Sequence, residues 1–134
     1  MKTIFVDTNI ILDVLLQNAG LWQGSLKIFK LAELRHIKVY VSASSMTDIF
    51  YVASKKLSAS IARDAIGNLL NLFEIVEVGA DDLYGALSVP ISDYEDALQA
   101  WCAKKVGADI LVTRDVDGFA SIDIPVFEPD NFEV

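Results

Sequence analysis

The feature that most constrains the fold is an alternation. Residues 3–6, 39–41, 74–78 and 109–112 are short runs rich in β-branched and other apolar residues, and between them apolar side chains recur at helical spacing. The runs read as strands and the intervening stretches as helices. Helices are expected over residues 10–16, 21–37, 46–56, from Ser58 or Ser60 to about Phe73, from Gly79 to near Ser88, and over 93–106, where Gly107 ends the last. A fifth short strand over 124–127 contains Pro125, which suits an edge. The pattern predicts an α/β fold of three layers, α/β/α, around a central parallel sheet of four to five strands.

In such sheets, sites form beyond the carboxyl ends of the strands. That rule draws attention to "FVDTNIILD", residues 5–13, where Asp7-Thr8-Asn9 interrupts two apolar segments. The segments read as a strand and the helix behind it, with Asp7 at the strand exit. Thr8 and Asn9 fit as helix-capping groups that also orient the carboxylate. Asp13 reads as a surface residue of the first helix.

Composition narrows the class. At 134 residues, 53% hydrophobic and 22% charged, the chain is expected to form one domain over residues 1–134. No apolar stretch approaches the roughly 20 residues of a membrane helix, and residues 1–5 show no cleavable leader, so a cytoplasmic protein is expected. The single cysteine, Cys102, reads as a buried inert thiol, and His36, the only histidine, as a surface residue. No Cys/His spacing suits zinc. A formal charge of -8 argues against simple DNA binding but does not exclude an acidic site that works through metal cations.

The acids carry the chemistry. Asp7, Asp48, Asp93 with Asp96, and Asp115 each stand at a strand exit or near the start of a helix. Each also has a local explanation. Residues 45–48 and 92–95 have capping-box patterns in which Asp48 and Glu95 serve only a helix start, and Asp7 and Asp115 fit turns. Asp96 resists that reading, because Asp93, Asp96, Ala100 and Ala103 share one face whose small residues let the helix approach the sheet closely. If Asp7, Asp48, Asp96 and Asp115 converge, each pair at about 4 Å repels by roughly 4 kcal/mol at an effective dielectric near 20. Such a cluster needs protons or a cation, and hard oxygen donors suit Mg²⁺ or Mn²⁺.

With "FVDTNIILD", "VSASSMTDIFYVA", "DYEDALQAWCAKKVGADILVTRD" and "DGF" in that order along nearly the whole chain, the sequence resembles the PIN domain family, the fold of VapC-type ribonuclease toxins. The resemblance implies a Mg²⁺- or Mn²⁺-dependent endoribonuclease leaving a 5′-phosphate and a 3′-hydroxyl. Its catalytic acids would be Asp7, Asp48, Asp96 and Asp115, with Asp7, Asp96, Asp115 and the additional Asp93 as metal ligands. Thr8, Asn9 and Thr113 would be supporting polar groups. Arg114 is a candidate clamp for an RNA phosphate, or else pairs with a neighbouring acid. Lys55, Lys56 and Arg63 make the nearest approach to a basic patch. An antitoxin partner and a homodimer are also implied, the latter through apolar residues around Leu21-Trp22 and Leu31–Leu34.

Two positions depart from the family pattern. The second acid is usually glutamate but here is Asp48, and Gly118 separates Asp117 from Phe119, which puts a role for Asp117 in doubt. Two rival readings follow. A non-catalytic PIN scaffold would bind RNA or a protein without a working acid cluster. A haloacid-dehalogenase-like phosphohydrolase also starts with a strand and Asp, but requires a second Asp where this chain has Asn9.

Overall fold

The computed structural model describes residues 1–133; Val134, the last residue of the expected domain, lies outside them. The chain forms β1 (Lys2–Val6), α1 (Thr8–Leu15), α2 (Trp22–Glu33), β2 (Ile37–Ser42), α3 (Ala43–Lys56), α4 (Ala59–Leu72), β3 (Glu74–Val76), α5 (Ala80–Ala86), α6 (Tyr94–Lys105), β4 (Ile110–Val112), a 3₁₀ turn (Asp117–Phe119) and β5 (Val126–Phe127). The strands make one parallel sheet in the order β3-β2-β1-β4-β5. The chain therefore builds outward from β1 to β3, then crosses back to add β4 and β5 on the other side of β1. The order reverses between β1 and β4, and that reversal leaves a crevice beyond their carboxyl ends.

Side-chain alternation along the strands divides the core in two. Ile4, Val6, Ile110 and Val112 pack with residues of α1 to α4, including Ile10, Ile28, Ile49 and Leu69. Phe5 and Leu111 pack on the other face with Ala86 of α5, Leu98, Ala100, Cys102 and Ala103 of α6, and Phe119. This is the expected three-layer α/β/α arrangement. Pro125 lies just outside edge strand β5, where its carbonyl accepts from the Leu111 N–H at 2.9 Å and its missing N–H costs nothing.

Helix ends correct several local readings. Helix α3 starts three residues earlier than the sequence pattern suggests. Ser42, where β2 ends, is its N-cap and accepts from the Ser45 N–H at 3.3 Å, so residues 45–48 form no capping box and Asp48 sits in the second turn. Helix α6 is capped by Asp93, whose Oδ1 accepts from the Asp96 N–H at 2.9 Å, rather than by Ser92. On α1, Asp7 itself is the cap, and Thr8 and Asn9 are the first helical residues. The end of α6 is as expected: Gly107 takes a positive φ of 66°, and the Gly107 and Ala108 N–H groups return to Lys104 and Ala103 carbonyls.

Asp13 is not on the surface. It is 0% exposed, its Oδ1 accepts from Asn18 Nδ2 at 2.9 Å, and its Oδ2 pairs with Arg114 Nε at 2.7 Å. A helical position read as exposed from polarity alone becomes buried because a cation from the β4 exit reaches it. Cys102 is buried and His36 exposed, as expected. Of the residues considered for a dimer surface, Leu21 and Leu34 are exposed, whereas Trp22 and Leu31 are half-buried. Among the described residues no helix is long and apolar enough to cross a membrane.

Candidate acidic site

At the β1–β4 reversal, Asp7 is held by backbone and side chain alike. Its N–H donates to the Val112 carbonyl at 3.0 Å, which extends the strand pairing by one residue. Its Oδ1 accepts from the Thr8 N–H at 2.7 Å and its Oδ2 from the Thr113 hydroxyl at 2.9 Å, leaving the residue only 6% exposed. The same Thr113 oxygen accepts from the Asp115 N–H at 3.1 Å. One hydroxyl thus joins the loop after β1 to the loop after β4, and ties the Asp7 carboxylate to the Asp115 backbone.

Two helix starts supply the other walls. A cavity of about 350 Å³ is lined by Asp7, Thr8, Asn9 and Leu12 of the first loop and α1, by Asp48, Tyr51 and Val52 of α3, and by Asp93, Glu95 and Asp96 at the start of α6. Five carboxylates therefore face one space. Asp115 stands outside that lining but close enough to Asp7 and Asp96 for its charge to act on both. A second cavity of about 280 Å³ lies between α6 and residues 121–124; its charged residues, Lys104 and Asp123, pair with each other at 3.8 Å.

The electrostatics show what close placement of acids does. Burial, with a smaller contribution from the Asp115 charge, pushes Asp7 up from its ordinary value against the two hydrogen bonds that favour its ionised form. Asp96 is pushed up to about 6 by burial and then by Asp7, Asp93 and Asp115. Glu95 is raised by burial and then by Asp48, with Asp93 and Asp7 adding to the effect. Asp82, outside the site, moves the opposite way. It accepts from the Gly79 N–H, Lys105 and Trp101, and falls to about 2.

This gives a pH signature. Asp96 titrates near 6 in the folded chain against an ordinary 3.8, so between those values the unfolded chain has already lost the proton that the folded chain keeps. Stability falls as pH rises through that window and its loss is complete above about 6. In thermal melts of the metal-free protein, Asp96→Asn is expected to remove part of the decline between pH 4 and 6 and to raise the melting temperature at pH 7. A wild-type and variant difference that is the same at pH 4 and pH 7 would contradict this.

Gly118 is explained by Asp115. The Gly118 N–H donates to Asp115 Oδ1 at 3.2 Å, and a Cβ on Gly118 would collide with Asp115 Oδ2. The extra residue between Asp117 and Phe119 leaves space for the Asp115 carboxylate. Asp117 begins the 3₁₀ turn, is exposed and does not line the cavity, while Phe119 is buried in the core. Gly118→Ala is expected to keep the melting temperature, because the exposed Asp115 side chain can swing away, and, if the chain is the ribonuclease its sequence resembles, to reduce RNA cleavage roughly tenfold by moving that acid. Equal activity in glycine and alanine forms would show that the position of Asp115 is immaterial.

The donor set fits a hard divalent cation: several carboxylate oxygens, no competing Lys or His in the cavity lining, and an Asp96 whose proton affinity is raised by burial and then by its acidic neighbours. Among the described residues no three acids are close enough to hold an ion as they stand. Asp7 is fixed, whereas Asp48, Asp93 and Asp115 are exposed and Asp96 half-exposed, so these side chains have room to change rotamer. Arg114, considered as a phosphate clamp, is held at its Nε by Asp13 and still lies near enough to Asp7 to lower its proton affinity.

Three residues of this arrangement escape notice in the sequence. Glu95 looks like an ordinary acid of a first helical turn. Ser45 looks like a capping residue, and Gln99 like the polar side of α6. The usable signal was the spacing of Glu95, Asp96 and Gln99, which places Gln99 one turn behind the two acids.

The comparisons with known proteins agree with this fold. A family model described as PIN domain matches residues 3–117. A DNA-bound VapBC complex of Salmonella typhimurium contains a chain 17% identical, at a TM-score of 0.72, with 96% of this chain and 99% of that one covered. FitAcB of Neisseria gonorrhoeae aligns at 0.70 with 21% identity over 96% and 99% of the two chains. VapC20 of Mycobacterium tuberculosis, a sarcin-ricin-loop-cleaving toxin, aligns at 0.69 with 17% identity over 87% and 93%. At these identities the likeness is one of fold. No curated protein matches significantly in sequence.

Proposed function

The chain belongs to the PIN domain family, and on that premise we propose that it is a metal-dependent endoribonuclease of the VapC toxin type, acting as one domain in the cytoplasm. The observation that carries the reading is the shared cavity at the sheet reversal, where Asp7 from a strand end meets acids of α3 and α6 and where burial and the neighbouring acids raise the proton affinity of Asp96. Asp7, Asp96 and Asp115, with Asp93, would hold Mg²⁺ or Mn²⁺. When bound, such an ion acidifies a water and offsets the charge that develops on the phosphate.

The chain's own residues do the remaining work. Thr8 and Thr113 keep both Asp7 oxygens oriented, and Thr113 sets the Asp115 loop against it. Asp48 and Glu95 line the same cavity, where burial and the nearby Asp48 raise the proton affinity of Glu95, which suits the pair to orient an attacking water by hydrogen bonding. Asp48 is a methylene shorter than the family's usual glutamate, and Glu95 reaches toward it from α6. Asn9 lines the same wall as a neutral hydrogen-bonding group. Arg114, anchored by Asp13, places positive charge beside Asp7 where an RNA phosphate would approach.

An antitoxin is the proposed partner, in keeping with the toxin-antitoxin complexes among the structural neighbours. A homodimer is proposed with it. Single-stranded RNA incubated with the purified protein should be cut internally with Mg²⁺ or Mn²⁺ and left intact with a chelator; cleavage that persists undiminished in chelator would overturn the metal-dependent mechanism. The second reading, a non-catalytic PIN scaffold, is favoured by Asp48 in place of glutamate and by the spread of the acids. It requires that the acids bind no divalent ion.

A further inference from the structure

We propose that Gln99 is a positioning residue that fixes the starts of α1, α3 and α6 relative to one another, and with them the acids those helices carry. The inference rests on the metal-dependent reading above. Gln99 lies on α6, one turn beyond Glu95 and Asp96, and is only 2% exposed. Its Nε2 donates to Ser45 Oγ of α3 at 2.8 Å and to Thr8 Oγ1 of α1 at 3.3 Å. Thr8 Oγ1 in turn donates to Ser45 Oγ at 2.7 Å, and Ser45 lies 2.9 Å from Ser42, the residue that caps α3. A single buried amide therefore joins three helix starts directly behind Asp7, Asp48 and Asp96.

Stability does not explain the choice of glutamine. Its Oε1 is buried with no partner among the described residues, and an unpaired buried carbonyl costs about as much as its two donated bonds return. An apolar side chain of similar length would fold as well. It would leave Thr8 and Ser45 bonded to each other, because neither depends on Gln99 for an acceptor. What an apolar residue cannot do is hold α6 in register with the other two helices.

The test pairs calorimetric Mn²⁺ titration with steady-state RNA cleavage and thermal melts, on wild type, Gln99→Met, Ser45→Ala and their double variant. Gln99→Met is expected to weaken Mn²⁺ binding roughly tenfold and to lower kcat with little change in KM for RNA, at an unchanged melting temperature. Ser45→Ala should act in the same direction, and the double variant should be no worse than the poorer single one, since both changes break one network. Mn²⁺ affinity within twofold of wild type in Gln99→Met, or effects that multiply in the double variant, would overturn the inference. If Gln99→Met fails to fold, Ser45→Ala decides alone: wild-type Mn²⁺ affinity in that variant overturns it. Asp96→Asn is the control. If it abolishes Mn²⁺ binding while Gln99→Met does not weaken it, the positioning role falls and the metal site stands; if Asp96→Asn leaves binding intact, the metal-dependent reading falls and the inference with it.

Discussion

Asp7→Asn is expected to leave the protein folded and to reduce Mg²⁺-dependent RNA cleavage by at least about 100-fold, the scale on which losing a charge-stabilising group at a reacting centre is felt. The substitution keeps the shape of the side chain, and the amide oxygen can still accept from the Thr8 N–H, so the cap of α1 survives. It removes a buried charge that its surroundings already disfavour. What it loses is the fixed anionic oxygen around which the exposed acids have to close. The Thr113 contact is also inverted, because an amide nitrogen placed at Oδ2 donates where the hydroxyl now donates to it. A folded Asp7→Asn protein with wild-type Mg²⁺-dependent activity would remove Asp7 from the site.

The second large effect is on stability and lies just outside the cavity. Asp13→Ala is expected to destabilise the protein by about 2–4 kcal/mol, lowering the melting temperature by several degrees in thermal melts. Asp13 is fully buried, and both its oxygens are committed, one to Asn18 and the other to Arg114. Removing it takes away the contacts that join the end of α1 to the loop after β4. Arg114 is part-exposed, so its charge can return to water and the loss stays below that of a wholly buried pair. Arg114 would then be free to move from beside Asp7, and RNA cleavage should fall as well. Unchanged melting in Asp13→Ala would mean that the pair contributes no net stability.

The fold was legible in the sequence wherever burial wrote a period into it. β1 and β4 lie at the centre of a parallel sheet with both faces covered, so Ile4, Phe5 and Val6, and Ile110, Leu111 and Val112, read as uninterrupted apolar runs. Asp7, Asp96 and Asp115 stood out because a carboxylate at a strand exit or on a small-residue helix face breaks that pattern. Residues whose meaning depends on tertiary neighbours were not legible. Asp13 and Gln99 look like polar positions of amphipathic helices, and nothing local says that Arg114 or Ser45 will meet them. Glu95 was read as serving the helix dipole, and that reading of its local role is compatible with its place in the cavity. Helix starts were misplaced for a related reason. Ser42, Asp93 and Asp7 each act as caps from the last residue before the helix, and in a run such as residues 42–45 the sequence offers several equivalent candidates.

The central claim is that these acids form one cation site, and calorimetric titration of Mn²⁺ into the metal-free protein at pH 7 tests it most directly. The expected result is saturable binding to wild type that Asp96→Asn abolishes or weakens at least about tenfold. No binding to wild type, or the same binding in Asp96→Asn, would contradict it.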